Sequence, residues 1–457
     1  KTSTARIIER LLREHGLRTG RLTRPHLVHF NERIALDGEA VSDQRIIDAF
    51  EENESLMDLV DSELEEQGEP PLTFFEAMTA LAFHIFSDAP IEVLVLEVGI
   101  GGEWDATNVA DADVAVFTTI ALDHQKTLGN TVEEIANTKS GIIKPKSIVV
   151  SSTQQKSVES ILRARAENEF LMADMEFRLS EVEPDGYGTR FSLTGLWQQY
   201  PLLWMPIIGQ HQAENAATAI AATEAFLGRG IADEVIRSAM ADALTPGRMQ
   251  VVSKEPLVVL DGAHNAAGLA SFRTSLQFHF GSPKAIGVVG MLGDKDVWSG
   301  ARELAGVFDH LILTTAPGSR GLPALELADV FSSEGIEVED IEDDLDDYND
   351  QIDRWTKYAD ELDEDVDEDP FIGWGYDKNY ELEDEESLSE YYENIADYRE
   401  NSQPEEIDPK EEWDEDHALD MVMNDMVEDM DIQDFENQDT VNVVSEDTIE
   451  DNKYDDS

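Results

Sequence analysis

Glu97 closes the otherwise apolar run "VLVLE", where an unpaired carboxylate would be costly. Two readings stand: a salt-bridged edge residue, or a hard-cation ligand beside phosphates. His124 in "LDH" reads either as a satisfied loop histidine or as a metal ligand, and it gains weight if a strand ending in Glu97 runs nearby. Gly99, Gly101 and Gly102 allow the backbone to approach a ligand closely. The opening "KTST", followed by an amphipathic segment, has the look of the end of a phosphate loop, G-x-x-x-x-G-K-[ST]. In that motif backbone N–H groups cradle phosphates, the lysine meets the β- and γ-phosphates, and the hydroxyl binds magnesium.

Such groups need strands to carry them. Apolar, β-branched runs ("EVLVLEV", "VAVFTTI", "LVVL", "AIGVVG", "HLILTT") alternate with segments of helical period such as "TARIIERLLREHG", "TFFEAMTALAFHIF" and "AENAATAIAATEAFL". This is the pattern of βα units around a mostly parallel sheet. Each strand candidate runs straight into a polar cluster: "GIGGEWDATN", "ALDHQKTLGN", "DGAHN", "MLGDKD" and "APGSRG". Ligands of open α/β sheets bind beyond the carboxyl ends of strands. Five such coincidences argue for a ligand site assembled from two domains, with a boundary near Leu244, where polarity shifts and a new βα series begins.

The chain has 457 residues, 33 Lys+Arg, 99 Asp+Glu and a net charge of −66. Binding nucleic acid through a basic face is thereby excluded. The absence of cysteine rules out disulfides, thiolate zinc sites and a cysteine nucleophile, and fits a reducing compartment. No apolar run reaches the roughly 18 to 20 residues that span a bilayer. A cytoplasmic protein is expected, without membrane partners. Residues 341–457 hold 47 acidic and 6 basic side chains. This segment is expected to be an acidic, largely disordered tail or insertion, with "ALDMVMNDMVEDM" as a candidate partner-induced helix. The preceding 340 residues suffice for two domains, 1–244 and 245–340.

Taken in order, the clusters resemble one family, folylpolyglutamate synthase/dihydrofolate synthase, a branch of the ATP-dependent Mur ligases. The landmarks are "KTST", "PHLVHFNERI" from Pro25, "LTFFEAMTALAF" from Leu72, "LEVGIGGEWDATNV" from Leu96 and "LDHQKTLGNTVEEIANTKSGIIKP" from Leu122. "GQHQAENAATAI" from Gly209, "PGRMQ" from Pro246, "DGAHN" from Asp261 and "DKD" from Asp294 complete the series over residues 1–335. The resemblance implies a P-loop-type sheet domain followed by a smaller Rossmann-like α/β domain, with ATP in the cleft between them. It implies a reaction in which ATP phosphorylates a folate-linked carboxylate and the amine of L-glutamate displaces phosphate. Folate or dihydropteroate, glutamate, ATP and Mg2+, with Mn2+ able to substitute, are the implied small-molecule partners, and a monomer is expected.

By residue, the resemblance gives Lys1, Thr2 and Ser3 to the nucleotide phosphates, with the Thr2 hydroxyl near magnesium. Glu97 and His124 match metal ligands, and Lys139 matches a lysine that becomes a further ligand when carbamylated; an ordinary helix-surface lysine is the alternative. Asn215 matches a nucleotide contact and Arg248 an arginine reaching the phosphates across the cleft. Asp261 matches the carboxylate that accepts from the ribose, and His264 lies near the phosphates. Lys139, His124 and Arg248 form the implied catalytic set. Asp294 and Asp296, flanking Lys295, read as interdomain or loop contacts.

Two positions depart from the pattern. Arg24 stands where the family has a metal-holding serine, so either Thr23 substitutes or one metal site is weakened, and Glu103, followed by Trp104, replaces a basic residue. The chain begins at Lys1 rather than Met and lacks the loop glycines, the first strand and the closing strands of the second domain. It is therefore expected to be a piece of a longer, active ligase, and weak or inactive by itself. The competing readings are another Mur-type amino-acid ligase, or a non-catalytic acidic interaction protein on the same fold.

Overall fold

The computed structural model describes residues 1–342 and 440–445, apart from Val28, Glu255, Ser282, Pro283, Asp294, Pro317, Gly318, Ser319, Glu337 and Glu339. The "ALDMVMNDMVEDM" segment and Asp294 thus lie outside the described residues, as does most of the acidic segment.

Helix α1 (Thr2–Glu14) forms because Ile7, Ile8, Leu11 and Leu12 fall on one face at helical spacing, and all four are fully buried. There follow β1 (Thr19–Leu22), β2 (Ile34–Leu36), β3 (Glu39–Ala40), α2 (Asp43–Gln67) and α3 (Phe74–Asp88). The start of α3 is fixed by a capping box, in which the Thr73 side chain accepts from Glu76 N and Glu76 reaches back to Thr73 N. Strand β4 (Val93–Glu97) is buried at every position, as a strand covered on both faces must be. The first lobe continues with β5 (Val114–Phe117), α4 (Gln125–Leu128), α5 (Val132–Lys139), β6 (Ile148–Ser151), α6 (Lys156–Arg165) and β7 (Phe170–Met172).

An antiparallel three-stranded sheet comes next, β8 (Arg178–Asp185), β9 (Gly188–Thr194) and β10 (Gln199–Met205), with the β8–β9 turn at Gly186-Tyr187. Helix α7 (Gln210–Leu227) carries alanines at 213, 216, 217, 219, 221 and 222, all buried. With side chains that small it lies against both α1 and the sheet. Helix α8 (Asp233–Ala241) completes this layer.

Strands β11 (Gln250–Lys254) and β12 (Leu257–Leu260) form an antiparallel ribbon. "LVVL" therefore does not join a parallel sheet as expected from its apolar run. The parallel sheet of the second lobe is β13 (Ile286–Val289), β14 (His310–Thr314) and β15 (Asp340–Glu342), packed with α9 (Ala266–Phe280), α10 (Val297–Leu304) and α11 (Ala324–Ser333). Leu269, Val297, Leu304, Leu313, Leu327 and Phe331 form its core.

The last described strand, β16 (Thr440–Ser445), lies within the segment expected to be disordered, and is a departure from that expectation. The large sheet has the order β3-β2-β1-β4-β16-β5-β6-β7. Pairs β1–β4, β5–β6 and β6–β7 are parallel, whereas β16 enters antiparallel between β4 and β5, with Val441 opposite Glu97. The result is a mixed α/β fold built on parallel pairs, as the strand–helix alternation implies.

Candidate active site

Glu97 ends β4 with no solvent exposure. Its Oε1 accepts from Thr2 Oγ1 at 2.9 Å, and its Oε2 from the backbone N–H of Arg24 at 3.3 Å. Arg6, Arg21 and Arg33 all feel its charge. Burial, followed by the repulsion of neighbouring guanidinium groups, pushes Arg21 and Arg33 down to about 10, so both remain cationic near neutrality. A buried carboxylate thus has the counter-charges that its apolar strand cannot provide. Thr23, one of the two alternatives to the missing serine, accepts from Arg21, whose Nη1 donates to Thr23 Oγ1 at 2.8 Å. The Arg24 guanidinium lies 4.3 Å from the centre of the Phe75 ring.

Lys1 Nζ donates to the carbonyls of Val98 at 2.6 Å and Gly99 at 3.3 Å, directly after Glu97. Gly99 has to be glycine: a Cβ there would stand 2.6 Å from Asp105 Oδ2 and 2.7 Å from Phe75 Cε1. A Cβ on Gly102 would lie 2.7 Å from the Lys139 carbonyl, and Glu103 N donates to Thr138 O at 3.0 Å. The glycine turn is thereby seated on the end of α5, where Lys139 is 2% exposed. That burial removes the helix-surface reading of Lys139. Trp104 points outward, 79% exposed.

His124 precedes α4 with φ 47°, a left-handed conformation that a non-glycine residue adopts only at some cost. Its Nε2 is buried without a hydrogen bond, 3.6 Å from Asp123 Oδ1. Burial first, opposed by Asp123 and reinforced by Lys295, Lys139 and Lys1, pushes its pKa down to about 4. The imidazole is therefore neutral near pH 7 and can offer a lone pair. Glu97 and His124 are joined through Lys1, which donates beside one and acts electrostatically on the other.

In the second lobe Asp261 accepts from Met249 N and Ala263 N, each at 2.8 Å, while Arg248 and His264 act on its charge. Burial dominates and raises its pKa. His264 Nδ1 lies 2.9 Å from Gly262 O. Asn215 faces α1, its Oδ1 accepting from Thr4 Oγ1 at 3.4 Å and its Nδ2 donating to Gln212 Oε1 at 3.0 Å. Ser3 is buried on the same helix.

The sequence reading gave no role to Lys295, Asn265 and His211, and took Asp296 for an interdomain or loop contact. Lys295, set aside with its flanking aspartates, acts on His124 across the lobes. Asp296 is a helix cap, accepting from Ser299 N at 3.0 Å and Ser299 Oγ at 2.6 Å. Asn265 Nδ2 donates to Asp123 Oδ2 at 3.4 Å, tying "DGAHN" to "LDH". His211, held by Ser275 Oγ at 3.1 Å, is pushed down to about 4 by burial and then by Arg248. Its place in "GQHQAEN", at the start of a helix, was the available signal.

The Mur ligase middle domain matches residues 46–223, and the Mur ligase glutamate ligase domain matches residues 247–363. The chain is 37% identical over 344 residues to the dihydrofolate synthase/folylpolyglutamate synthase of Mycobacterium tuberculosis, covering 72% of this chain and 71% of the relative. It is 33% identical to the folylpolyglutamate synthase of Lacticaseibacillus casei, covering 71% and 76% of the two chains. Among solved structures it is similar to the M. tuberculosis folylpolyglutamate synthase complexed with ADP, with TM-score 0.73, 35% identity, and coverage of 80% of this chain and 82% of that one. It is also similar to an FPGS–AMPPCP–folate complex, with TM-score 0.65, 31% identity, and coverage of 76% and 85%. With its ordered strand-end clusters, two matched domains and relatives aligned over most of their length, the chain belongs to the folylpolyglutamate synthase/dihydrofolate synthase family of Mur ligases.

Proposed function

We propose that this chain is built to add L-glutamate to folate, or to dihydropteroate, with ATP converted to ADP through an acyl phosphate. The observation that carries the reading is the buried Glu97 held by the Thr2 hydroxyl, together with a neutral His124 on which the charges of Lys295, Lys139 and Lys1 all act. The relatives support it: one solved structure holds ADP, another AMPPCP and folate.

A carboxylate resists attack by an amine until one of its oxygens becomes a leaving group. Phosphoryl transfer supplies that group, and its main demands are positioning and stabilisation of spread negative charge. Lys1 and Ser3, at the start of α1, are assigned to the phosphates, and so are Lys295 and Arg248 from the second lobe. Asp261 is assigned to the ribose hydroxyls, Asn215 to the nucleotide, and His264 to the phosphate side. We place the division between the lobes at residue 244, the second running to 340, with the acidic segment beyond it.

The donor set also fits a divalent cation: a hydroxyl at Thr2, a carboxylate at Glu97, a buried imidazole nitrogen at His124 without a hydrogen bond, and Lys139 if carbamylated. Mg2+ suits the oxygens and Mn2+ tolerates the imidazole. When bound, such an ion would neutralise charge on the phosphates. Among the described residues no helix is long and apolar enough to cross a membrane. A cytoplasmic monomer acting on small molecules, without nucleic-acid or membrane partners, accords with the composition.

The test is phosphate release with ATP, glutamate and either tetrahydrofolate or dihydropteroate. Release that requires both glutamate and a pterin substrate supports the reading. Release independent of either, or requiring a nucleotide-sugar acceptor, refutes it.

A further inference from the structure

Against α7, β6 and the start of β8 lies a cavity of about 250 Å3. Its walls are Ser152 and Thr153 after β6, Ala173 and Asp174 after β7, Phe177, Leu179 and Val182 at and along β8, and Gln210, Glu214, Ala217 and Thr218 of α7. The four α7 positions fall at i, i+4, i+7 and i+8, a single helix face. Gln212 and Asn215 lie on the face turned to α1.

The polar lining is one-sided in charge. Among the described residues no Lys, Arg or His borders the cavity, whereas Asp174 and Glu214 do. Most of the other polar groups are already paired: Ser152 Oγ lies 2.8 Å from Thr218 Oγ1, and Thr153 Oγ1 donates to Asp174 Oδ2 at 3.0 Å. The Glu214 carboxylate takes no hydrogen bond or ion pair from any described residue. Burial and then the negative charge of Asp174 hold its pKa above the usual range. The rest of the lining, Phe177, Leu179, Val182, Ala173 and Ala217, is apolar.

A ligand for this space must therefore bring donors and positive charge at one end and apolar surface at the other. ATP and folate bring negative groups that Asp174 and Glu214 would repel, and the ammonium of glutamate comes with two carboxylates that they would repel as well. The volume lies below the roughly 300 to 1,000 Å3 of common ligand pockets, which limits the occupant to a small molecule. We propose that this cavity binds a small organic cation, a primary ammonium on a short aliphatic chain, with Glu214 and Asp174 as its counter-ions and Phe177, Leu179 and Val182 against the chain. It is a second site: none of its lining residues is among those assigned to the nucleotide, the phosphates or the cation.

Calorimetric titration of the full chain with n-butylammonium chloride tests this, with n-butanol and sodium butyrate as uncharged and anionic controls. The expected result is saturable binding of the ammonium alone, weakened at least about tenfold in Glu214→Gln and in Asp174→Asn, the scale of one charge-assisted hydrogen bond. Asp174 and Glu214 are both exposed, so both variants should fold, and either one decides the matter if the other does not. No saturable binding, equal binding of n-butanol, or unchanged affinity in the folded variants overturns the proposal. Magnesium chloride that displaces butylammonium with the same loss in both variants would make this a metal site, and would overturn it equally.

Discussion

Thr2 Oγ1 donates to Glu97 Oε1 at 2.9 Å, joining the first turn of α1 to the last residue of β4 across 95 positions of sequence. With Arg24 N on the other oxygen, the hydroxyl fixes a carboxylate that its own strand cannot satisfy. Two neighbouring residues on different elements thereby have their orientation set before any ligand arrives, which is the preorganisation that charge stabilisation requires.

The first prediction concerns this pair. Glu97→Gln keeps the volume and an acceptor but removes the charge, so turnover should fall by about 100-fold or more, the scale of a lost charge-stabilising group. Thr2→Val leaves Glu97 with a buried unmet oxygen, and should lower stability by about 1 to 3 kcal/mol as well as weaken magnesium-ATP binding. Urea midpoints and calorimetry separate the two effects. Wild-type nucleotide affinity in both variants would exclude the pair from the phosphate site.

Lys295 is the second. It is partly exposed, so Lys295→Ala should fold normally and lose roughly 10- to 100-fold in turnover if it neutralises phosphate charge from the second lobe. Because its positive charge helps hold the His124 pKa low, the variant should also raise that pKa above about 4. NMR titration of the ring protons reads that shift without reference to activity. An unmoved His124 would place Lys295 away from the centre.

Much of the candidate site was legible because its residues sit where strands end: Glu97 at the end of β4, the His124 loop after β5, and Asp261 directly after β12. The alternation of apolar runs and helical period also conveyed the α/β class. Pairing direction was not legible. "LVVL" has the apolar content of a central parallel strand, yet the short link after Lys254 folds it back on β11. The β8–β9 hairpin carried a usable signal, Gly186 at the first position of a two-residue loop with φ 57°, that was passed over. "TVNVVS" is β-branched enough for a strand, but 47 acids in its segment masked it. Lys295 was missed because its target, His124, is about 170 residues away in the chain, and only lobe-to-lobe packing brings the two charges together.

The third prediction is a pH dependence. His26, His124 and His211 are each pushed from 6.5 to about 4, with burial the largest cause. Between those values the unfolded chain takes up protons that the folded one refuses. Their contribution to stability is therefore complete above pH 6.5 and lost as pH falls toward about 4. Asp261, Glu214 and Glu224 are shifted upward and act in the opposite sense, so the informative quantity is a difference between variants. His211→Gln should lose roughly 1 to 3 kcal/mol less than wild type between about pH 7 and pH 5. Identical losses would show that His211 is not held neutral.

The fourth prediction turns on Arg24. Its backbone N–H serves Glu97, while its guanidinium lies against Phe75, 4.3 Å from the ring centre, and would stand 3.0 Å from a Cβ on Gly99. The side chain is 7% exposed, so a fixed positive charge sits in a poorly solvated place beside the carboxylate offered to a divalent ion. Two cations there repel each other more strongly than they would in water. Arg24→Ser removes the fixed charge and adds a hydroxyl. It should cost about 1 to 2 kcal/mol of stability, from the lost stacking and the space left behind. It should at the same time tighten Mn2+ binding, read by electron paramagnetic resonance titration with AMPPCP present. Weaker Mn2+ binding in a folded Arg24→Ser protein would mean that the guanidinium supports the site through its packing, and that its charge does not compete with the ion.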